Sequence, residues 1–139
     1  MSHISKIELE ITDLATLRQA CERLQLQFME NQTTYSWYGT SIGDTPLPEG
    51  ITASDLGKCD HAIRVPGAQY EIGIVKRDRK YILLWDSWHQ GGLEQKLGKN
   101  AGRLKQAYGI EKVRKEARLK GHRICEQKTN QGIRLVLRV

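Results

Sequence analysis

Residues 70–86 read Tyr-Glu-Ile-Gly-Ile-Val-Lys-Arg-Asp-Arg-Lys-Tyr-Ile-Leu-Leu-Trp-Asp, and this stretch sets the class of the fold. Two runs of β-favouring residues, Tyr70 to Lys76 and Lys80 to about Asp86, flank Arg77-Asp78-Arg79, a charged tip that reads as a hairpin turn. Just upstream, Cys59 to Val65 is a third short strand closed by Pro66-Gly67, so the middle of the chain predicts an antiparallel meander. Gly73 inside the central strand marks a bulge or a close approach of another group.

Working outward, Ile7, Leu9 and Ile11 alternate with Glu8 and Glu10, the period of a strand with one wet face, at about 4–11. Thr12 or Asp13 can cap a helix that carries Leu14, Leu17, Cys21 and Leu24 at helical spacing and ends near Leu26. Residues 27–38, with Phe28, Tyr35, Trp37 and Tyr38, read as a further strand with an irregular start. From about 39 to 58 the hydrophobic period disappears into Gly, Pro, Ser, Thr and Asp, including Pro46 and Pro48, which predicts a long functional or mobile loop.

After Gly91-Gly92 a short turn at Leu93 to Leu97 leads into a main helix at about 102–120, with Gly121 placed to end it. Two last strands, about 122–128 and 133–139, flank the turn Thr129-Asn130-Gln131-Gly132. Ile133, Leu135, Leu137 and Val139 share one face of the final strand, and Arg134 and Arg138 share the other. The whole predicts one α+β domain over 1–139: a mostly antiparallel sheet with two main helices on one face, in a ferredoxin-like split βαβ arrangement with an inserted hairpin.

The composition agrees with a single globular domain. With 139 residues, 39% hydrophobic and 27% charged, the chain matches ordinary soluble domains, and it should bury roughly two-thirds of its unfolded surface. No apolar run approaches the ~20 residues of a membrane span. Glu8 and Glu10 stand where a signal peptide needs its apolar segment, so the expected location is cytoplasmic. Three cysteines with no CxxC pair predict reduced thiols, with Cys21 and Cys125 as small buried hydrophobes.

The charge is uneven. Residues 93–139 hold 13 basic and 4 acidic side chains, a net +9, whereas residues 1–92 hold 9 basic and 12 acidic, a net −3. A basic segment of this kind predicts either a surface for an anionic partner or a solvated helix and two edge strands. Arg103, Lys105, Lys112, Lys115 and Arg118 fall largely off the apolar face of the main helix and are the candidate partner-binding cations. Trp37, Tyr38 and Trp88 are the candidate aromatic contacts.

Catalytic chemistry has weaker support. Asp86 and His89, in Trp85-Asp86-Ser87-Trp88-His89, form the densest polar cluster and would suit acid–base work, but Asp86 equally suits a turn and Trp85 the core. Cys59 lies beside Lys58 and His61, yet sequence adjacency does not make a catalytic set. His3, His61, His89 and His122 lack metal-ligand spacing, and Gly39-Thr-Ser-Ile-Gly43 lacks the Lys-Ser/Thr of a phosphate loop. No catalytic residue, metal or cofactor is therefore assigned.

Met1-Ser2-His3-Ile4-Ser5, Asp13-Leu14, Tyr70-Glu71-Ile72-Gly73, Trp85-Asp86-Ser87-Trp88, Gln106-Ala107-Tyr108 and Gly132-Ile133-Arg134-Leu135 together resemble the hypothetical chloroplast reading frame 35 family, a domain of unknown function of cyanobacteria, plastids and other bacteria. The resemblance covers nearly the whole chain, departing at Ile4, where Phe is expected, and around Pro46 and Pro48. It supplies no established activity or catalytic residues. It implies an adaptor role, since bacterial relatives travel with AAA-type ATPases and small ferredoxin-like proteins. The expectation is a non-enzymatic adaptor or assembly protein that binds an acidic protein partner, an AAA-type ATPase among the candidates. The alternative is an RNA or single-stranded nucleic-acid-binding module, although no RNP-type motif is present.

Overall fold

The computed structural model describes residues 3–39 and 47–138. Five strands form one sheet: β1 (Ile4–Ile11), β2 (Gln27–Met29), β3 (His61–Arg64), β4 (Glu71–Arg77) and β5 (Lys80–Asp86), in the order β1-β5-β4-β3-β2 with every neighbour antiparallel. The hairpin between β4 and β5 turns at Asp78, a non-glycine residue at φ 55°. Helix α1 (Leu14–Arg23) joins β1 to β2, and α2 (Leu93–Leu97) and α3 (Gly102–Leu119) follow β5. The last strands, β6 (Arg123–Thr129) and β7 (Gly132–Arg138), form a separate two-stranded ribbon. This is an α+β domain. Four antiparallel steps leave β1 and β2 parallel on opposite edges, a split βαβ connection with three strands between them.

The two sheet faces have different covers. On one, Ile7, Ile11, Ile63, Ile72, Ile74, Leu83 and Trp85 pack beneath Leu17, Ala20 and Cys21 of α1 and Leu104, Ala107 and Tyr108 of α3. Asp13 starts α1 by accepting from the Ala15 N–H (3.0 Å) and the Thr16 hydroxyl (2.9 Å), and Gln25 at φ 60° follows its end. Gly121 at φ 72° ends α3, donating to the Arg118 carbonyl while the His122 N–H reaches the Ala117 carbonyl, the double bond of a Schellman motif.

The other face holds Tyr35, Ile51, Ala62, Val75 and Leu84, with Trp37 and Leu56 packed against them. Its cover corrects two sequence expectations. The strand expected over 27–38 stops at Met29, because Asn31 (φ 62°) turns the chain and residues 33–35 bond instead to residues 57–59. Part of the loop expected over 39–58 is core: Ile51 is buried and Leu56 packs on the same cluster, whereas residues 40–46 with Pro46 lie outside the described residues. Gly73 is a close approach, since a Cβ there would stand 2.4 Å from Tyr35 Cδ1.

Candidate functional site

Helix α3 is the centre of the basic third, and it is covered on two sides. Its Leu104, Ala107, Tyr108 and Glu111 turn toward the sheet and α1, while the ribbon lies along it chiefly through β6. Several of its cations find partners within the fold. Lys115 bonds Asp13 at the α1 cap, Arg114 reaches Glu126 at 2.6 Å, and Arg103 donates to the Lys96 carbonyl at 3.0 Å. Lys105, half-buried, and the exposed Lys112 and Arg118 form no ion pair among the described residues.

A four-residue ionic cluster fastens the ribbon to the helices. The Arg23 guanidinium donates to both carboxylate oxygens of Glu126 (2.7 and 2.9 Å) and to Glu111 (2.9 Å), and Arg114 adds its bond to Glu126. The hydrogen bond from Arg23 holds the Glu126 carboxyl below its ordinary range, against the opposing pull of burial, and the charges of Arg23 and Arg114 reinforce it. Arg23 is raised in turn, with Glu126 the main cause.

The register sorts the ribbon into two faces. Ile124 opposite Leu137, Glu126 opposite Leu135, and Lys128 opposite Ile133 form the row turned toward α3, where Glu126 meets Arg23. Arg123 opposite Arg138, Cys125 opposite Val136, and Gln127 opposite Arg134 form the outer row. Arg123, Arg134 and Arg138 are exposed there with no acidic partner among the described residues. Cys125 is exposed on this row, which corrects the expectation of a buried thiol: strand parity puts it between Arg123 and Gln127, away from the core.

The aromatic candidates lie elsewhere. Tyr38 and Trp88 meet edge to face at 5.0 Å, and Trp88 meets His89 at 5.7 Å, but the Tyr38 N–H is anchored on the sheet face opposite α3. Trp37 is packed down, its indole so near Gly57 that a Cβ there would stand 2.7 Å from Nε1. The helix cations and the aromatics therefore do not form one surface. Lys115 and Arg118 border a groove of about 280 Å³ between α1 and α3, floored by Ala15, Thr16 and Leu119.

Asp86 and Glu71 are bonded to donors within the scaffold, while His89 is exposed. Asp86 is fully buried and accepts from the backbone N–H groups of His3 (3.0 Å), Tyr38 (3.1 Å) and Trp88 (3.1 Å), joining three segments at one carboxylate. Glu71 accepts from the Ser36 N–H (3.0 Å) and hydroxyl (3.1 Å), from Gln32 (3.1 Å) and from Arg64 (3.4 Å). Burial would raise the Glu71 carboxyl, but these bonds outweigh it and hold it below its usual value. Cys59 and His61 part company, because Cys59 packs in the cluster around Tyr35 while His61 meets Phe28 and Tyr81 and accepts from the Asn31 N–H. Burial pushes the Cys59 thiol up to about 11, and the thiol donates to the Gln32 carbonyl. No group of three metal-ligating side chains assembles among the described residues, and none of their helices is long and apolar enough to cross a membrane.

The arrangement defines a small α+β domain with one helix-covered sheet face, one loop-covered face, and a cationic ribbon ionically fastened to its flank. The chain belongs to the DUF1257 family, described as "Protein of unknown function (DUF1257)", which matches residues 49–136. That span runs from the buried Ile51 through β3, β4 and β5 to the ribbon and takes in most of the basic third. No curated protein and no solved structure matches the chain.

Proposed function

We propose that this domain is a non-enzymatic adaptor that binds an acidic protein partner through its basic C-terminal third. The observation that carries the reading is the excess positive charge of that flank: Lys112, Arg118, Arg123, Arg134 and Arg138 are exposed, Glu111 and Glu126 are already committed to Arg23 and Arg114, and the exposed Glu116 is the one further acid on α3 or the ribbon. Two apolar side chains are exposed nearby, Leu119 (78%) beside Arg118 and Leu137 (49%) on the ribbon row that faces away from Arg134 and Arg138, and a protein surface can cover them where a sugar-phosphate backbone cannot. The engagement of Asp86 and Glu71 by backbone and neighbouring donors supports a binding role over a catalytic one. The resemblance to the hypothetical chloroplast reading frame 35 family belongs to the same reading, as do an AAA-type ATPase partner and a cytosolic or stromal location.

The test is capture on tagged protein from native lysate at low salt, with and without nuclease. It compares the wild-type chain with a variant carrying Lys112→Glu, Arg118→Glu, Arg134→Glu and Arg138→Glu, its fold checked by circular dichroism. The reading expects an acidic protein that survives nuclease and is lost from the variant. Loss of every partner on nuclease treatment, with a steep salt dependence, would make the flank a nucleic-acid surface instead. Retention of the partner by the variant would remove the basic third from the interface.

A further inference from the structure

We propose that β7 is a docking edge that receives an extended strand of alternating apolar and acidic residues from the partner protein. The inference deepens the adaptor reading and rests on its partner being a protein. Three features of the ribbon point to this occupant.

Strand β7 pairs with β6 on one side and with no other strand among the described residues, so its second edge offers unpaired backbone donors and acceptors. The inner row of β7 is incompletely roofed, because α3 lies chiefly along β6: Ile133 and Leu135 are half-buried and Leu137 is 49% exposed. The outer row presents Arg134 and Arg138 two side-chain steps apart, with Arg138 directly across from Arg123, a like-charge pairing that is unfavourable with no anion between them.

One added strand answers all three. Its backbone closes the edge, its apolar side chains extend the inner row over Leu135 and Leu137, and its carboxylates stand beside Arg134 and Arg138 at cross-strand distances of roughly 4.5–5.5 Å. A second copy of β7 would satisfy the backbone but bring arginine rows together. A nucleic-acid duplex would neutralise the arginines while leaving the edge and the apolar row in water.

The experiment uses the full chain and a fluorescein-labelled nonapeptide of alternating valine and glutamate, with a valine–lysine peptide and a DNA duplex as comparisons. The expected result is a rise in anisotropy with the glutamate peptide and slowed amide exchange confined to residues around 132–138. Arg134→Glu combined with Arg138→Glu should weaken that peptide at least tenfold and confer binding of the lysine peptide. Absence of glutamate-peptide binding overturns the proposal and leaves the arginines as guards against edge pairing. Binding without protection of β7, binding indifferent to charge reversal, or a preference for the duplex overturns it equally. If the peptide fails while the fourfold variant above still loses its nuclease-resistant partner, the adaptor reading stands and strand addition at β7 falls.

Discussion

Arg23 holds both carboxylate oxygens of Glu126, 103 positions further along the chain, at 2.7 and 2.9 Å. Through this fork and the bond to Glu111, the end of the first helix fixes where the C-terminal ribbon sits. Both side chains are only about a quarter exposed, so the pair is worth more than a surface ion pair.

The fork sets a pH dependence. The Glu126 carboxyl is lowered from its ordinary value of 4.5, so its contribution to stability is fully present above that pH and is lost as pH falls through the lower folded-state value. Glu126→Gln should cost about 2 kcal/mol near neutral pH. In urea unfolding series, its difference from wild type should shrink steadily below pH 4.5; a constant difference would show that the charge is not what matters.

Gly73 and Tyr35 are matched in the same sense. Gly73→Ala puts a methyl 2.4 Å from the Tyr35 ring, and the rigid ring cannot yield without moving its segment. The expected cost is about 1–3 kcal/mol by thermal denaturation. Combining it with Tyr35→Leu should cost less than the two single changes added together, and strict additivity would refute the contact.

The three thiols should react in a fixed order. Cys125 is exposed, Cys59 is half-buried with its thiol pushed up to about 11, and Cys21 is buried and pushed up to about 12, in both cases chiefly by burial. Native protein treated with iodoacetamide at pH 8 should therefore carry one fast modification, at Cys125 by peptide mass spectrometry. All three should react in urea.

Ile51 tests whether the long loop is disposable. Ile51→Ala removes buried apolar atoms from the cluster with Tyr35 and Val75 and should destabilise by about 2–4 kcal/mol in urea unfolding. A neutral result would return the segment to the solvated loop that its composition suggests.

Asp86→Asn keeps the shape of the side chain but replaces one acceptor oxygen by a donor that would face a backbone N–H. A loss of about 1–3 kcal/mol is expected, with partner capture unchanged in the fraction that stays folded. Loss of capture at full stability would instead give Asp86 a functional role.

The elements with a regular period were legible in the chain. β1, β5, α2 and α3 lie within a residue or so of their expected bounds, because side-chain alternation in β1, β-favouring composition beside a charged turn in β5, the Gly-Gly boundary before α2 and helical spacing in α3 are all local properties. Tyr35, Trp37 and Tyr38 misled: their segment covers a sheet face, with the Tyr35 N–H on the Gly57 carbonyl, the Ser36 N–H on Glu71 and the Tyr38 N–H on Asp86, instead of extending the sheet as a strand. The arginines of the ribbon were visible as a shared face at 134 and 138, but nothing local showed that this face would be the solvent side of a detached ribbon.

The amino-acid order by itself determined the class of fold, the meander, the main helix with its glycine stop, and the concentration of positive charge after residue 92. These follow from periodicity, turn chemistry and counting, which need no partner. Tertiary structure alone decided which cations stay free. Lys115, Arg114 and Arg103 are taken up by Asp13, Glu126 and the Lys96 carbonyl, partners 102, 12 and 7 positions away, and Arg134 and Arg138 are left facing water. Whether a charge is spent inside the fold or available outside depends on which elements pack together, and that is settled only when the long-range contacts form.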